Sequence, residues 1–256
     1  MAISLASISR DPIIAPPRVV LYAPHGVGKT TWACGAYAPI LLPTEDGKGL
    51  LDVPSFPLLK SWSDVMDAIG ALFQESHEYS TLIIDSLDWL EPIVWAETCR
   101  KHEKADIEAF GYGKGYLAAC EQWRIIFDGL KALREEKNMA IVLLAHTEIK
   151  RFEAPDTEPY DRYKIKLQER AAALVEEWAD CVLFANYKTH IAKADVGFNK
   201  KVARGVGTGE RVLYTEERPA HRAKNRYGLP AELPMPKVGG WQVFMDALTG
   251  NASAAA

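Results

Sequence analysis

Residues 18–31 constrain the fold of this chain more than any other stretch, because they predict a strand, a glycine-containing loop and a helix in direct succession. Residues 19–21 form a short apolar run of the kind that makes a buried strand. The loop Ala-Pro-His-Gly-Val-Gly-Lys-Thr follows at residues 23–30, and the helical pattern starts at Thr31. This is the order of elements that a phosphate-binding P-loop requires, so the sequence predicts an α/β fold.

The residue types of this loop suit a nucleoside triphosphate. Gly26 and Gly28 allow backbone N–H groups to converge on phosphate oxygens. Lys29 is expected to reach the β- and γ-phosphates, and the Thr30 hydroxyl to bind Mg²⁺. The first glycine of the usual motif is Ala23 here, but the Gly-Lys-Thr end is intact. The cofactors predicted are therefore ATP and Mg²⁺, with contacts from Pro24, His25, Gly26, Val27, Gly28, Lys29, Thr30 and Thr31.

A second motif follows at residues 79–85, where an apolar strand ends in Asp85. A carboxylate at such a strand end helps to hold the magnesium ion of a P-loop protein, so Thr30 and Asp85 are the predicted metal-binding residues. Asp88 comes just before a helical pattern and is interpreted as a helix cap rather than a ligand.

Two further polar residues follow predicted strands, where the carboxyl ends of a parallel sheet collect ligands. Glu45 follows the short strand at residues 40–42 and is a candidate base for activating water; a solvated turn acid is the alternative interpretation. His146 ends the apolar run at 139–145 and is either a γ-phosphate sensor or a hydrogen-bonded histidine at a strand end.

Composition, net charge and cysteine content limit the classes of function that the chain can have. The 256 residues are 48% hydrophobic and 25% charged, and a net charge of −4 gives no global attraction for nucleic acid. The four cysteines lack metal-binding spacing and are interpreted as reduced thiols. No signal peptide or membrane span is predicted, so we expect a cytoplasmic protein without membrane contact.

Two stretches are candidates for contact with single-stranded nucleic acid, which needs aromatic faces and cations. Residues 100–116 break the helical periodicity and include Tyr112, Lys114 and Tyr116, although composition alone favours a surface connection with buried tyrosines. Residues 148–168 are predicted to be a long charged loop, either functional or disordered. The cations singled out there are Lys150, Arg151, Lys164 and Lys166.

The C-terminal part predicts paired strands at residues 187–194 and 211–216, flanking a basic, glycine-rich connection. Lys224 and Arg226 lie two positions apart, so on a strand their side chains share one face. They are interpreted either as cations that reach a phosphate on an adjacent subunit or as a solvated edge.

The order of these signals over residues 18–226 resembles the RecA-type recombinase core, and in particular small phage-encoded RecA-like proteins of single-strand annealing and recombination. The resemblance rests on Lys29 in the P-loop, Glu45 after the next strand, the Asp85-Ser86 pair, His146 at the sensor position and Lys224-x-Arg226. It implies a RecA-like P-loop NTPase core, with a mainly parallel sheet, helices on both faces and C-terminal antiparallel strands. It also implies that residues 110–116 and 148–168 are the two DNA-binding loops.

The resemblance further implies a DNA-stimulated, oligomer-dependent ATPase that binds single-stranded DNA during phage recombination in a bacterial host cell. Its expected partners are other copies of the chain, in a ring or filament, and a single-strand-binding protein. A P-loop motor or switch that acts on a protein partner in replication or packaging is the alternative. The expected division is an N-terminal arm at 1–17, the ATPase domain at 18–250 and a disordered tail at 251–256.

Overall fold

The computed structural model describes residues 15–47, 49–195 and 201–254. Most of the N-terminal arm expected at residues 1–17 therefore lies outside the described residues. Within them, no helix combines the length and the hydropathy that crossing a membrane requires.

A largely parallel sheet forms the centre of the molecule. Its main path runs β2-β3-β4-β1-β6-β7-β9, while β5 pairs with β4 and β8 pairs with β6. The first five strands of this path are parallel, and β7 and β9 extend it antiparallel. The strands are β1 Arg18–Ala23, β2 Pro39–Pro43, β3 Thr81–Asp85, β4 Ala140–Ala154, β5 Thr157–Ile165, β6 Cys181–Asp195, β7 Lys201–Tyr214, β8 Lys224–Asn225 and β9 Glu232–Pro234.

Helices cover both faces of this sheet, because successive residues of each buried strand point to opposite sides. Val20 and Tyr22 of β1 face one apolar core, and Val19 and Leu21 face the other. The helices are α1 Lys29–Cys34, α2 Trp62–Gln74, α3 Leu87–Lys101, α4 Lys114–Glu136, α5 Glu169–Trp178 and α6 Gly240–Ala254. Buried residues of α2 to α5 belong to the first core, and those of α1 and α6 to the second. The α/β class, the parallel sheet and the C-terminal antiparallel strands are thus confirmed.

The prediction of a long charged loop at residues 148–168 is wrong. β4 continues past His146 and pairs antiparallel with β5, which forms a hairpin closed by a turn at Pro155 and Asp156. Proline and aspartate suit the two central positions of such a turn. The many charges concealed the strands, because both faces of a projecting hairpin can carry polar side chains.

Three other predicted boundaries differ from those of the helices and strands in the structure. α3 ends at Lys101 and α4 begins at Lys114, with one turn of 3₁₀ helix at Glu108–Phe110, so the irregular stretch is shorter than 100–116. β7 begins at Lys201, which makes most of the predicted glycine-rich connection a strand. α6 extends through Ala254 into the expected tail, whose last two residues lie outside the described ones.

Candidate functional site

The loop between β1 and α1 lies at the carboxyl edge of the parallel strands. Gly26 and Gly28 have φ values of 76° and 101°, in the left-handed region that glycine adopts without a steric cost. α1 starts at Lys29, and its backbone begins with a hydrogen bond from the Trp32 N–H to the Gly28 carbonyl, at 3.0 Å. The loop therefore presents the amino end of α1 to the edge where parallel sheets bind ligands.

Lys29 and Thr30 bring a cation and a hydroxyl to the end of β3. The Lys29 side chain is buried and donates to the Ala23 carbonyl at 3.4 Å. Burial lowers the pKa of Lys29, whereas the negative charges of the nearby Asp85 and Glu45 carboxylates raise it by a smaller amount. The Thr30 hydroxyl donates to Asp85 Oδ2 at 2.7 Å. A threonine and an aspartate 55 positions apart are thus in direct contact, as the two sequence motifs predict.

Asp85 has a second oxygen that needs a partner. Oδ1 is buried and has no hydrogen-bond partner among the described residues, and burial raises the pKa of this carboxyl group. A buried carboxylate oxygen without a partner is costly unless a ligand or ion satisfies it. Because Mg²⁺ prefers oxygen ligands, the Asp85 carboxylate and the Thr30 hydroxyl fit a magnesium ion.

Glu45 lies beside this pair, just after β2. The Ser86 hydroxyl donates to its Oε2 at 3.3 Å, and His146 Nδ1 lies 3.9 Å from the same oxygen. Burial, followed by the charge of Asp85, raises the pKa of Glu45. A carboxylate whose pKa lies closer to neutrality is a better proton acceptor at physiological pH.

His146 is fixed in place by Asp88, which corrects the prediction that Asp88 caps a helix. Ser86 is the N-cap residue of α3, and Asp88 lies within the first turn. Its carboxylate accepts hydrogen bonds from the His146 backbone N–H at 3.0 Å and from Nδ1 at 2.9 Å. Burial opposes ionisation of Asp88, but these bonds outweigh it and lower its pKa to about 2.

The His146 ring also contacts the P-loop. It stacks on the His25 ring with 4.0 Å between centroids, and the electrostatic effect of this close neighbour, together with burial, lowers the pKa of His25. Pairing of Ala23 with His146 across β1 and β4 accounts for this proximity. One side of the P-loop is therefore lined by Glu45, Asp85, Asp88 and His146. All four lie at or just beyond the point where the parallel pairing of their strands ends.

The other side of the P-loop is held by two residues that the sequence reasoning missed. Arg211 of β7 donates from Nη1 to the Val27 carbonyl at 2.7 Å, and the Tyr187 hydroxyl lies 3.5 Å from the Gly26 carbonyl. The Arg211 guanidinium lies so close to Gly28 that a Cβ atom there would displace it. No local pattern links residues so far apart; only the pairing of β6 with β7 does so.

Lys224 and Arg226 are not brought to the P-loop of their own chain. The Lys224 ammonium donates to the carbonyls of Glu176, Glu177 and Ala179 at the end of α5. Arg226 lies 3.4 Å from an Asp180 carboxylate oxygen. Since Lys224 pairs with Val182 near the start of β6, both cations lie at the opposite edge of the sheet. Their action on a neighbouring subunit stays a prediction.

The residues predicted for DNA contact lie in two places. Tyr112 is exposed, Lys114 begins α4, and the Tyr116 hydroxyl bonds to Glu108 while its ring meets Trp95 at 5.5 Å. The remaining cations are near the hairpin: Lys150, Arg151 and Lys164 are in its strands, and Lys166 follows β5, 3.9 Å from Asp88.

The two faces of the hairpin differ in composition. Cross-strand pairing places Lys150, Phe152, Tyr160 and Lys164 on one face, since residues two apart in a strand share a face. The Phe152 and Tyr160 rings lie 5.3 Å apart on it. Arg151 pairs with Asp161 on the opposite face. The same face also carries Glu148, which pairs with Lys150 at 2.9 Å, and the buried Arg162, whose guanidinium lies 5.1 Å from the centre of the Phe152 ring. This face therefore combines two rings with two half-buried lysines, and one of these lysines is already paired with a carboxylate.

The chain matches a known family model and is similar in fold to a solved structure. The family model described as "AAA domain" matches residues 15–227. A crystal structure of the RadB recombinase aligns over 88% of this chain and 90% of that chain, with 13% sequence identity and a TM-score of 0.48. The search of curated proteins found no significant match.

Proposed function

The chain belongs to the AAA domain family, and from that premise we propose that it hydrolyses Mg²⁺-bound ATP and couples hydrolysis to the binding of single-stranded DNA. One observation carries the nucleotide part of this proposal. Thr30 and Asp85 meet at 2.7 Å beside the buried Lys29, and Asp85 keeps one buried oxygen without a partner among the described residues. This arrangement suits a phosphate-bound cation.

Each residue of the site then has a defined role. Lys29 neutralises charge on the β- and γ-phosphate oxygens, and the P-loop N–H groups bind the remaining oxygens. Thr30 and Asp85 hold Mg²⁺, which stabilises the charge that develops on the phosphates. Glu45 orients the attacking water and accepts its proton, while His146, fixed by Asp88, contacts the terminal phosphate.

The test of this part is the Lys29→Ala variant. Removing the ammonium is expected to abolish ATP hydrolysis, because phosphoryl transfer depends on neutralising phosphate charge. A Lys60→Ala variant, which removes an exposed lysine outside the site, is the control and should hydrolyse ATP normally. Unchanged turnover in Lys29→Ala would refute the nucleotide site.

The DNA part of the proposal is supported by the hairpin face that carries Lys150, Phe152, Tyr160 and Lys164. Aromatic rings stack on bases and lysines contact phosphates without sequence preference. The exposed Tyr112 and the neighbouring Lys114 and Tyr116 are a second, separate candidate for strand contact. We further propose that copies of the chain assemble, so that Lys224 and Arg226 reach a neighbour's nucleotide, in phage-type strand annealing or exchange with a single-strand-binding protein.

Charge-reversal variants on the two faces of the hairpin test whether one of these faces binds single-stranded DNA. A double variant, Lys150→Glu with Lys164→Glu, is expected to lose retention of a single-stranded oligonucleotide at low salt. The control is Arg151→Glu, on the opposite face, which should retain DNA like the unaltered protein. If the unaltered protein retains no single strand with or without ATP, the recombination proposal fails and a protein partner for the ATPase takes its place.

A further inference from the structure

The strand order determines in which direction a nucleotide lies across the P-loop. The P-loop leaves β1; Asp85 ends β3, two strands away on one side, and Arg211 lies in β7, two strands away on the other. With about 4.8 Å between neighbouring strands, each lies about 10 Å from the P-loop strand. Because Glu45, Asp85 and His146 are all on the β3 side, a terminal phosphate bound there directs the rest of the nucleotide towards β7.

A cleft is present on the β7 side, which we call the β7–β9 cleft. Its volume is about 550 Å³, and residues 209–212 and 232–237 form most of its lining, together with Lys188. Val212, Leu233 and Met235 provide buried apolar surface, and Pro234 and Pro236 are exposed beside them. At the rim, Lys188 and Glu232 form an ion pair at 3.8 Å. Glu210, Arg211 and Lys237 add further charged groups to the lining, so apolar surface is bordered by cations and carboxylates. The volume is in the usual range for a small-molecule site.

Arg211 connects this cleft to the P-loop. Its guanidinium donates to the Val27 carbonyl, its own carbonyl accepts from the Met235 N–H at 2.9 Å, and it lines the cleft. Met235 belongs to the same apolar core as Trp32, which lies in the helix that follows the P-loop. Arg211 therefore contacts the P-loop with its guanidinium and the cleft with its backbone, so the two lie on either side of one residue.

We infer that the β7–β9 cleft binds the nucleoside half of ATP, with the base against the apolar wall and the ribose beside Arg211. This inference rests on the proposed function, because it assigns the second half of the same ligand. It adds binding residues from the antiparallel extension of the sheet, more than 180 positions after the P-loop. It also predicts that the cleft contributes nothing to the binding of a ligand that consists of phosphates alone.

The test compares ATP with inorganic tripolyphosphate, both with Mg²⁺, by calorimetry. Pro234→Trp adds a large side chain at an exposed lining position and is expected to weaken ATP binding about tenfold or more, while tripolyphosphate binds as before. Ala96→Trp adds the same bulk at an exposed helix position in a different cleft, between α2 and α3, and is expected to bind ATP normally. Both variants should melt like the unaltered protein.

Three results are distinguishable. Loss of both ligands in Lys29→Ala together with selective loss of ATP in Pro234→Trp supports the inference. Unaltered ATP binding by Pro234→Trp, or equal loss of ATP and tripolyphosphate, overturns it and leaves the P-loop site intact. Failure of the unaltered protein to bind ATP removes the proposed function itself.

Photolabelling with 8-azido-ATP gives an independent measurement that does not depend on a variant. The azide is on the base, so labelling should map to peptides that contain residues 209–212 or 232–237. Labelling confined to peptides from the β2 and β3 side would place the base there and contradict the inference.

Discussion

At the scale of single residues, the site is defined by a buried carboxylate oxygen that no described residue satisfies. One Asp85 oxygen accepts from Thr30, and the other has no partner among the described residues. Burial raises the pKa of both Asp85 and Glu45, but Glu45 is only half-buried, beside Ser86 and His146. The two carboxylates therefore differ in environment, which is how neighbouring acids take different roles.

The Glu45→Gln variant tests the role of the second carboxylate. The amide keeps the size and can still accept from Ser86, but it cannot accept a proton from water. We expect ATP to bind with near-normal affinity and to be hydrolysed about 100-fold more slowly or worse. Single-turnover hydrolysis and equilibrium binding measured on the same sample check this. Unchanged turnover in Glu45→Gln would show that ATP hydrolysis does not depend on the Glu45 carboxylate.

His221 is a buried histidine outside the site whose titration should affect stability. Its ring lies between Phe184 and Tyr214, with centroid distances of 4.8 and 4.6 Å, and Nε2 is buried without a partner among the described residues. Burial lowers its pKa from 6.5 to about 4. The unfolded chain therefore binds the proton more strongly than the folded protein does. Stability is complete above the unfolded pKa and is lost as the pH falls towards the folded pKa.

We expect this group to reduce the free energy of unfolding by about 2 kcal/mol between pH 8 and pH 5. His221→Phe fills the same space with a ring that cannot ionise, so its stability should fall less over that range. Urea denaturation at several pH values measures the difference. Parallel curves for the two proteins would show that His221 does not titrate in this way.

At the scale of elements, the β4–β5 hairpin is the part of the fold that the sequence concealed. Its anchor is Arg162, a buried arginine that donates to Glu217 and to the carbonyls of Arg218 and His221. The Tyr163 N–H also donates to the Ala220 carbonyl at 2.8 Å. All of these partners lie more than 50 positions along the chain, so the charge pattern of residues 148–168 alone could not reveal them.

Replacing Arg162 with methionine should loosen the hairpin more than the core. The substitution removes three hydrogen bonds from the guanidinium, one of them to the Glu217 carboxylate, while the Arg218 and His221 carbonyls keep their backbone donors. We expect a cost of about 1–3 kcal/mol in the hairpin, whereas the strands of the parallel sheet are untouched. Hydrogen exchange of the hairpin amides should become faster, and that of β1 and β3 should not. Arg151→Met, at an exposed position on the other face, is the matched control. Equal acceleration in both variants would show that Arg162 is not the anchor.

At the scale of the whole molecule, the sequence predicts whatever depends on local chemistry and fails where distant segments meet. The α/β class and the contact of Thr30 with Asp85 follow from motifs of fixed spacing. Asp88 is mistaken for a cap because its partner, His146, is 58 positions away. Arg211 is missed for the same reason, since it reaches Val27 only through the pairing of β6 with β7. Lys224 and Arg226 both donate to the Glu177 carbonyl, and no local pattern shows that Lys224 contacts the end of α5.

The strand order determines how the site is assembled. One strand, β4, separates the P-loop strand from β3. His146 of β4 therefore lies between the phosphate loop and the Asp85 carboxylate. Both ends of a nucleotide then have a place at one sheet edge. This arrangement supports the proposed binding of a triphosphate across the edge, from β3 to β7.

A crystal structure with Mg²⁺ and a non-hydrolysable ATP analogue is the most direct test of this claim. The account predicts phosphate oxygens about 3 Å from the Lys29 ammonium and the P-loop N–H groups, and a Mg²⁺ ion held by Thr30 and the free oxygen of Asp85. An analogue bound elsewhere, or a P-loop that stays empty at saturating ligand, would contradict it.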